Sequence, residues 1–466
     1  MPRRNCFAVL LAGLLAAASP GLAQTPAAVP PDPQDDLAPV LNSGGAEMRF
    51  DWPALKVGIG AYREGPTGVT VFSFDRKVLA AVDARGGAPG TINTDLLRLG
   101  YPTYDIDTVV FAGGSAYGLE ATTGVATALK DDGRNTGVWD SIAVAVGAIV
   151  FDYGDRRLNE IYPDKKLAQA AYRARQAGLF RNGAAGAGSM TRTGDFFGCK
   201  AHSGQGGAFR QIGDLKIAVF TVVNAYGVVV DREGRLAACY RDPSWPADVT
   251  VSDLMRNLPE SRKAGWGSES GRMRNTTVTL VAVNQKMDPS ELQRLAVQVH
   301  TAMGRSIQPF ATGWDGDTLY AVTTGEIDAP DPAAPGAINS VEIGAIASEL
   351  AWDAVLASVP PQPPLPVARP QPAIPARVLA SYAGSYRFSN FVSVTVTEKD
   401  GKLFGQASGR AAFNIPMDRQ VELVPYDGGR FMVPGRYPMV LDFAQKGRLV
   451  INPGEWAQVG LRAGGR

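Results

Sequence analysis

The segment Arg274–Leu280, "RNTTVTL", joins a glycine-rich stretch at residues 264–271, "AGWGSESG", to an alternating strand pattern. Asn275 favours turns and Thr276 is β-branched, so the segment fits a plain loop-to-strand junction. Asn275-Thr276-Thr277 also matches the acceptor pattern for N-glycosylation. A third interpretation is a cut between Asn275 and Thr276, which would place a hydroxyl and a free amine on one residue. The segment by itself leaves these three interpretations open.

The composition is that of a globular protein with room for more than one domain. The chain has 466 residues, of which 45% are hydrophobic and 20% charged. Its 46 basic and 45 acidic residues give a formal charge of +1. This balance indicates neither a nucleic-acid partner nor a membrane-surface partner.

Residues 1–23 have the pattern of a secretory signal. Arg3 and Arg4 precede the apolar run "FAVLLAGLLAAA", and small residues follow at Gly21-Leu22-Ala23. The run is too short for a permanent bilayer span. We therefore predict a periplasmic or secreted protein without a membrane span.

Histidine and cysteine are scarce, which limits the chemistry available. His202 and His300 are the two histidines, and any Ser-His or Cys-His hydrolase would need one of them as its base. Neither lies at a diagnostic spacing, and no paired metal-ligand spacing occurs, so no metal or cofactor is predicted. Cys199 and Cys239 remain after signal removal. They are able to pair in an exported protein, but their spacing does not decide whether they meet.

The chain divides into five parts by composition. After the signal, residues 24–47 are rich in Pro and Ala and predict a disordered leader. Residues 48–358 mix strand and helix patterns, and residues 359–376 hold eight prolines, typical of a semi-rigid spacer. Residues 377–466 predict a small, barrel-like β domain, with alternating valines and a hairpin turn signal at Asp400-Gly401. For this tail we expect a role in stability or docking rather than chemistry.

The mixed region shows clear secondary-structure patterns. Strands are predicted at residues 69–74, 107–111, 215–223 and 276–283, and helices at about 115–129, 288–305 and 338–355. The helix at 288–305 is the best defined, because Asp288 and Glu291 form a capping box around Pro289.

Three short motifs carry candidate polar groups. Ser115 follows Gly114 in "GGSAYG", where it caps a helix or where nearby backbone N–H groups contact an anionic oxygen. Asn224 ends a strand in "VVNAYG", as a turn residue or an oxyanion donor. Asp315 and Asp317, in "WDGDTLYAV", face one side of an extended segment, as a hairpin or as a pair that orients a reacting group.

Taken together, several stretches resemble one family in their order along the chain. They are "AAVDARGGAPGTINTDLL" (Ala80–Leu97), "FAGGSAYGLEATTGV" (Phe111–Val125), "GAAGAG" (Gly183–Gly188), "VVNAYG" (Val222–Gly227), "NTTVTLVAVN" (Asn275–Asn284) and "WDGDTLYAVTTG" (Trp314–Gly325). These stretches resemble the P1-family peptidases, the DmpA-type aminopeptidases of family S58, which include nylon-oligomer hydrolases. The resemblance implies an αββα sandwich of the DmpA/ornithine-acetyltransferase-like type, self-cleaved at 275/276 into two chains that stay together.

The resemblance also assigns roles to individual residues. Thr276 matches the nucleophile and Asn275 the residue before the cut, while Asn224 matches the oxyanion asparagine. Asp315 and Asp317 match the pair that orients the nucleophile, and a Thr with two aspartates is closer to the nylon-hydrolase branch.

Other matches are less complete. The family lysine has no clean counterpart; Lys200 is the nearest candidate, and Asp195 occupies a neighbouring slot. Gly114, Ser115 and Trp314 are assigned to substrate binding.

The implied chemistry suits a chain with two histidines. A free amine on Thr276, with an unperturbed pKa of about 8, is able to take the proton of its own hydroxyl. We expect an exported aminopeptidase that releases N-terminal residues from small peptides, amides or esters through a threonine acyl-enzyme, without a cofactor. The alternatives are an endo-amidase acting on ω-amino-acid or β-peptide oligomers and an inactive, processed cell-wall-binding module. Family members tend to be oligomers of cleaved pairs, so a homo-oligomer is expected.

Overall fold

The computed structural model describes residues 34–100, 105–133, 137–257, 275–331, 333–368 and 370–463. Contacts divide the chain into two units, residues 1–36 and 37–466, and the fold lies in the second. The predicted signal at residues 1–23 lies outside the described residues, as does the first part of the leader. None of the described helices is both long and apolar enough to cross a membrane.

The strands of the first part of the fold carry the predicted patterns. In chain order they are β1 Val40–Leu41, β2 Ala46–Arg49, β3 Leu55–Tyr62, β4 Thr67–Ala84, β5 Thr91–Ile92, β6 Asp105–Ala112, β7 Ala145–Ile149, β8 Gln176–Ala177, β9 Leu179–Asn182, β10 Arg192–Thr193, β11 Ala201–His202, β12 Gln205–Ile212, β13 Leu215–Asn224, β14 Val228–Val229, β15 Thr276–Gln285, β16 Ile307–Gln308 and β17 Thr318–Ile327. The four predicted strands correspond to β4, β6, β13 and β15.

Six α-helices occur in the described residues. They are α1 Glu120–Asp131, α2 Lys165–Arg173, α3 Val251–Arg256, α4 Pro289–Ala302, α5 Ser340–Ala357 and α6 Ala376–Tyr382. The capping box predicted for α4 is confirmed, because the Asp288 carboxylate accepts from the Glu291 N–H and the Glu291 carboxylate accepts from the Asp288 N–H. The helix predicted from residue 115 begins as a 3₁₀ turn at Ser115–Leu119 and becomes α1 at Glu120.

Eleven of the described strands form one mixed sheet with the path β12-β13-β15-β17-β4-β6-β7-β5. Strand β15 pairs antiparallel with β13 and parallel with β17, and all ten of its residues are buried. Both of its faces pack in buried clusters, which explains its continuous run of β-branched and apolar residues.

Three clusters of buried side chains define layers. One joins β13, β15 and β17 to α4 and α5, and a second joins β3, β4 and β6 to α1 and α2. The third lies among residues of β3, β4, β6, β7, β13, β15 and β17 and contains no residue of the described α-helices. Strand residues therefore contribute to the helix-facing clusters and to a cluster shared between strands, as expected when helices cover the outer faces of packed strands.

The C-terminal part is a closed barrel, which confirms the all-β prediction. Its strands are β18 Gly384–Arg387, β19 Ser393–Lys399, β20 Lys402–Ser408, β21 Val421–Asp427, β22 Arg430–Val433, β23 Met439–Asp442, β24 Arg448–Ile451 and β25 Gln458–Arg462. Asp400 and Gly401 both have positive φ, 52° and 75°, as a tight hairpin turn between β19 and β20 requires. The barrel core continues into residues of the preceding region, including Leu158, Met190 and Tyr240.

The structure changes one sequence expectation and answers one open question. Disorder was expected through residue 47, but β1 pairs with β3 and β2 pairs with β9, so the paired backbone begins at Val40. The side chain of Asn42 fixes this entry, because its Oδ1 accepts from the Ile59 N–H and its Nδ2 donates to the Ala174 carbonyl. The remaining domain boundaries stay predictions. The open question of the cysteines is also answered, since Cys199 and Cys239 form a disulfide.

Candidate active site

Thr276 is the first residue of β15, and Asn224 is the last residue of β13. The register places the two directly opposite each other, and both are buried. Asn275 forms a parallel bridge with Asp315, just before β17. The strand pairing alone therefore brings together the segments predicted to hold the nucleophile, the oxyanion residue and the acidic pair.

The Asn275–Thr276 peptide is held from both sides. The Asn275 carbonyl oxygen accepts from the Thr276 hydroxyl at 2.5 Å and from the Gly316 N–H at 2.8 Å. The Asn275 N–H donates to the Trp314 carbonyl at 3.0 Å. A backbone N–H that contacts the carbonyl oxygen in this way is placed to stabilise negative charge on it.

Glycine is required on both sides of this contact. A Cβ on Gly316 would lie 2.7 Å from Thr276 Oγ1 and 2.7 Å from the Ala88 carbonyl oxygen. A Cβ on Gly86 would lie 2.2 Å from the Asp317 nitrogen and 2.5 Å from the Asp315 carbonyl oxygen. The first glycine of the "ARGG" motif that follows β4 therefore lets its backbone pack closely against the segment that faces Thr276.

Asp315 and Asp317 are both buried and both accept backbone hydrogen bonds. Asp315 accepts from the Tyr226 N–H at 3.1 Å and from the N–H and hydroxyl of Thr312. Asp317 accepts from the Thr277 N–H at 2.6 Å and from the Ala311 N–H at 3.0 Å. Asp317 thus anchors the residue after Thr276, and both carboxylates anchor the loop before β17.

Burial raises the pKa of both carboxyl groups. Desolvation is the larger cause for each, and the hydrogen bonds that they accept oppose it. Repulsion by Asp315 adds to the effect and raises the pKa of Asp317 well above its ordinary range. Burial and repulsion by Asp315 therefore favour the protonated form of Asp317 more than they would for an exposed aspartate.

Asn224 is fixed by three hydrogen bonds. Its Oδ1 accepts from Arg156 Nη1 at 2.6 Å and from the Arg192 N–H at 3.2 Å. Its Nδ2 donates to the Phe151 carbonyl at 2.9 Å. Because two donors hold the oxygen and the nitrogen donates to Phe151, the orientation of the Asn224 amide is fixed.

The cations beside Asn224 are Arg156 and Arg192, which sequence reasoning missed. Burial, and then repulsion by Arg192, lowers the pKa of Arg156 to about 10. Arg192 pairs with Asp155 at 2.9 Å and lies 3.6 Å from Asp195, and these carboxylates raise its pKa despite burial. The sequence signals were an arginine pair in "YGDRRLNE" and a lone arginine after the glycine-rich loop.

Lys200 occupies a different place from these arginines. It follows Cys199 of the disulfide, has a positive φ of 53°, and acts electrostatically on Asp155. The donors that reach the Asn224 oxygen are Arg156 and Arg192. The catalytic role of Lys200 therefore stays a prediction.

The residues assigned to substrate binding lie in two places: Gly114 and Ser115 follow β6, and Trp314 precedes β17. The Gly114 N–H donates to Asp152 and the Ser115 N–H donates to the Val150 carbonyl, so both of these donors are engaged. No side-chain cap bond is made by Ser115; Gly114, with φ of 79°, is the N-cap. Trp314 exposes 45% of its surface while its carbonyl holds Asn275.

Neither histidine hydrogen-bonds Thr276. His202 stacks on Trp456 at 3.8 Å between ring centroids, and its Nε2 hydrogen-bonds the Tyr437 hydroxyl at 2.8 Å. His300 is buried on α4 with Nδ1 2.9 Å from Asp83, as expected for a packed helix residue.

Comparison with known proteins places the chain among amide hydrolases. It is 38% identical over 334 residues to the 6-aminohexanoate-oligomer endohydrolase of Paenarthrobacter ureafaciens, which covers 69% of this chain and 88% of that protein. It is also 38% identical over 322 residues to a putative NylC-analogous protein of Agromyces sp. (strain KY5R), covering 66% of this chain and 98% of that one. An uncharacterised aminopeptidase of Mycobacterium bovis is 33% identical over 306 residues, covering 63% and 85%.

The family assignment follows from the same region. A model described as Peptidase family S58 matches residues 50–359. The chain belongs to this family, and the resemblance recognised in the sequence is confirmed. The matched residues include every candidate catalytic residue and stop before the C-terminal barrel.

Proposed function

We propose that the protein cleaves itself between Asn275 and Thr276 and then hydrolyses amides through the freed threonine. The contacts around the Asn275 carbonyl carry this proposal, because the Thr276 hydroxyl and the Gly316 N–H both reach its oxygen. The layers of buried side chains support a second part of the proposal, an αββα sandwich of the DmpA type.

Self-cleavage would begin with attack of Thr276 Oγ1 on the Asn275 carbonyl carbon. The oxygen becomes an oxyanion that the Gly316 N–H stabilises, and the hydroxyl proton passes to the departing amide nitrogen. The resulting ester between Asn275 and the Thr276 side chain is opened by water. Asn275 then ends in a carboxylate, and Thr276 carries a free amine and a free hydroxyl.

Hydrolysis of a substrate would repeat this chemistry at the same place. The Thr276 amine takes the hydroxyl proton while Oγ1 attacks the substrate carbonyl, and the proton passes to the leaving amine. The substrate carbonyl would take the place that the Asn275 carbonyl has before the cut, so the Gly316 N–H would face its oxygen. We assign the Asn224 amide as a second donor, because Asn224 lies opposite Thr276 in the strand register. Water then releases the acyl group.

Two substrate classes remain for this mechanism. The pattern of a threonine followed by two aspartates, with the relatives that are 38% identical, favours an endo-amidase on ω-amino-acid oligomers. Relatives that are 33% identical and described as aminopeptidases favour release of N-terminal residues from small peptides. Export to the periplasm or beyond, and assembly of cleaved pairs into an oligomer, are part of the proposal and rest on the sequence patterns.

Mass spectrometry of the purified protein, with a substrate panel, tests the proposal. We expect two fragments, one beginning at Thr276, and turnover of 6-aminohexanoate oligomers or aminoacyl p-nitroanilides. Thr276→Ala should abolish the cut and lower turnover by at least about 10⁴-fold, the scale of losing a catalytic nucleophile.

Thr276→Ser is the matched control, because it keeps the hydroxyl and the amine. It should restore both the cut and measurable turnover. An intact wild-type chain with full activity, or an active Thr276→Ala protein, would refute the mechanism.

A further inference from the structure

The C-terminal barrel binds the segment that carries Arg156. Gln458 is fully buried; its Oε1 accepts from the Leu158 N–H at 3.0 Å, and its Nε2 donates to the Gly65 carbonyl at 3.3 Å. The Phe413 N–H donates to the Asp155 carbonyl at 3.1 Å. These bonds fix the backbone on both sides of Arg156.

The barrel also binds the segment that carries Arg192. Trp456 stacks on His202 with an angle of 14° between the rings, and its Nε1 donates to the Ser189 carbonyl at 3.1 Å. The Tyr437 hydroxyl bonds His202 Nε2 at 2.8 Å. His202 on β11 pairs directly with Arg192 on β10. The barrel therefore contacts His202, the strand partner of Arg192, rather than Arg192 itself.

Both segments converge on one atom. Asn224 Oδ1 accepts from the Arg156 side chain and from the Arg192 backbone, and Asp155 links the two by accepting from Arg192 Nη2. Arg156 also donates to the Phe151 carbonyl, which accepts from Asn224 Nδ2 as well. A displacement of either segment would change the direction of the Asn224 amide.

We propose that the barrel is a positioning element of the active site and that Gln458, Tyr437 and Trp456 orient Asn224 through Arg156 and Arg192. This inference rests on the proposed function, in which Asn224 stabilises the oxyanion. The barrel lies beyond residue 359, outside the family match. In this chain, an additional domain therefore contacts the segments that hold the proposed oxyanion residue of the family region.

Two side-chain variants of the full-length protein test this coupling. Gln458→Met keeps the bulk and removes both hydrogen bonds, and Tyr437→Phe removes the hydroxyl that meets His202. Each should lower kcat about tenfold with little change in KM, a fraction of the 100- to 1000-fold cost of losing an oxyanion donor. Val459→Ala, at a 43% exposed position beside Gln458, is the matched control and should leave kcat unchanged.

A double-mutant cycle separates positioning from general destabilisation. Asn224→Ala should remove the oxyanion contribution, so adding Gln458→Met or Tyr437→Phe to it should cause no further loss of kcat. A purely structural role would instead lower the thermal midpoint and leave kcat of the folded enzyme unchanged, or give losses that add to Asn224→Ala. Either of these results would overturn the inference.

Crystal structures of Gln458→Met and of the wild-type protein give a readout that does not depend on turnover. The inference requires the Arg156 and Asn224 side chains to shift in the variant. An unmoved Asn224 overturns it, whatever the activity. If the wild-type protein is inactive but Asn224 still shifts in Gln458→Met, the proposed function is refuted and the positioning role stands.

Discussion

The family region and the C-terminal barrel contribute to the site in different ways. Residues 50–359 match the peptidase family and supply Thr276, Asn224 and the two aspartates. The barrel supplies no candidate for the chemistry, yet its side chains bond the two segments that hold Asn224. Sequence motifs of the family therefore identify the candidate catalytic residues. The residues that orient these side chains lie in other parts of the chain, and only the fold brings them into contact.

Apart from loss of Thr276 itself, the largest effect expected within the family region is that of Gly316→Ala. A methyl group there would lie 2.7 Å from Thr276 Oγ1, so the DGD segment must move and its N–H must leave the Asn275 carbonyl. We expect a loss of about 100- to 1000-fold in the rates of self-cleavage and turnover, the cost of one oxyanion donor. Timed mass spectrometry of the cut and steady-state kinetics measure the two rates.

Gly313→Ala is the control in the same loop, because an added Cβ at Gly313 meets no atom within 4 Å. It should process and turn over normally. If Gly316→Ala also processes and turns over normally, the Gly316 N–H is not the oxyanion donor. The family region would then differ less from the barrel in what it contributes to the reaction.

Removal of the Cys199–Cys239 disulfide tests the junction between the two regions. The bond closes a loop with a sequence separation of 40, and the Tyr240 N–H after it donates to the Cys199 carbonyl. The double variant Cys199→Ala/Cys239→Ala should lower the free energy of unfolding by about 4 kcal/mol through the freed chain entropy. Urea unfolding in the Thr276→Ala background, where the chain stays in one piece, measures the change.

Dithiothreitol added to the Thr276→Ala protein in the same urea series is the control, and it should reproduce the loss. An equal stability with and without the disulfide would mean that the junction is held by the barrel contacts alone. That outcome would support the view that the barrel stabilises the family region through its own contacts.

The smallest effect is a pH dependence from Asp317. Its pKa is raised above the ordinary 3.8 by burial and by Asp315, so the folded state keeps a proton that the unfolded chain has lost. Stability should therefore fall as pH rises from about 4 towards the raised pKa, because the unfolded state binds fewer protons there. Thermal melts of the Thr276→Ala chain across this range measure the slope.

Asp317→Asn in the same background removes the titrating group. The difference in slope between the two proteins isolates Asp317 from other carboxyls, including Asp83, whose pKa is lowered by His300 and Arg85 although burial opposes this. Equal slopes would show that Asp317 ionises normally in the folded protein.

Much of the framework was predictable from local patterns. The runs of β-branched residues in β13 and β15 and the capping box of α4 act over a few residues, so the sequence alone located them. The family motifs predicted which residues on the strands and loops around Thr276 form the candidate site. The leader was mispredicted, because the pairing of β1 with β3 depends on a strand that comes later in the chain.

The sequence by itself determined the family, the strands that carry the candidate residues, the β nature of the tail and the scarcity of histidine. Only the tertiary structure decided that Gly316 faces the Asn275 carbonyl, that Arg156 and Arg192 hold Asn224, and that the barrel supports both. These contacts join residues far apart in the chain, such as Gln458 and Leu158. A local sequence pattern does not predict such a contact, because the contact stabilises the protein only when distant segments pack together.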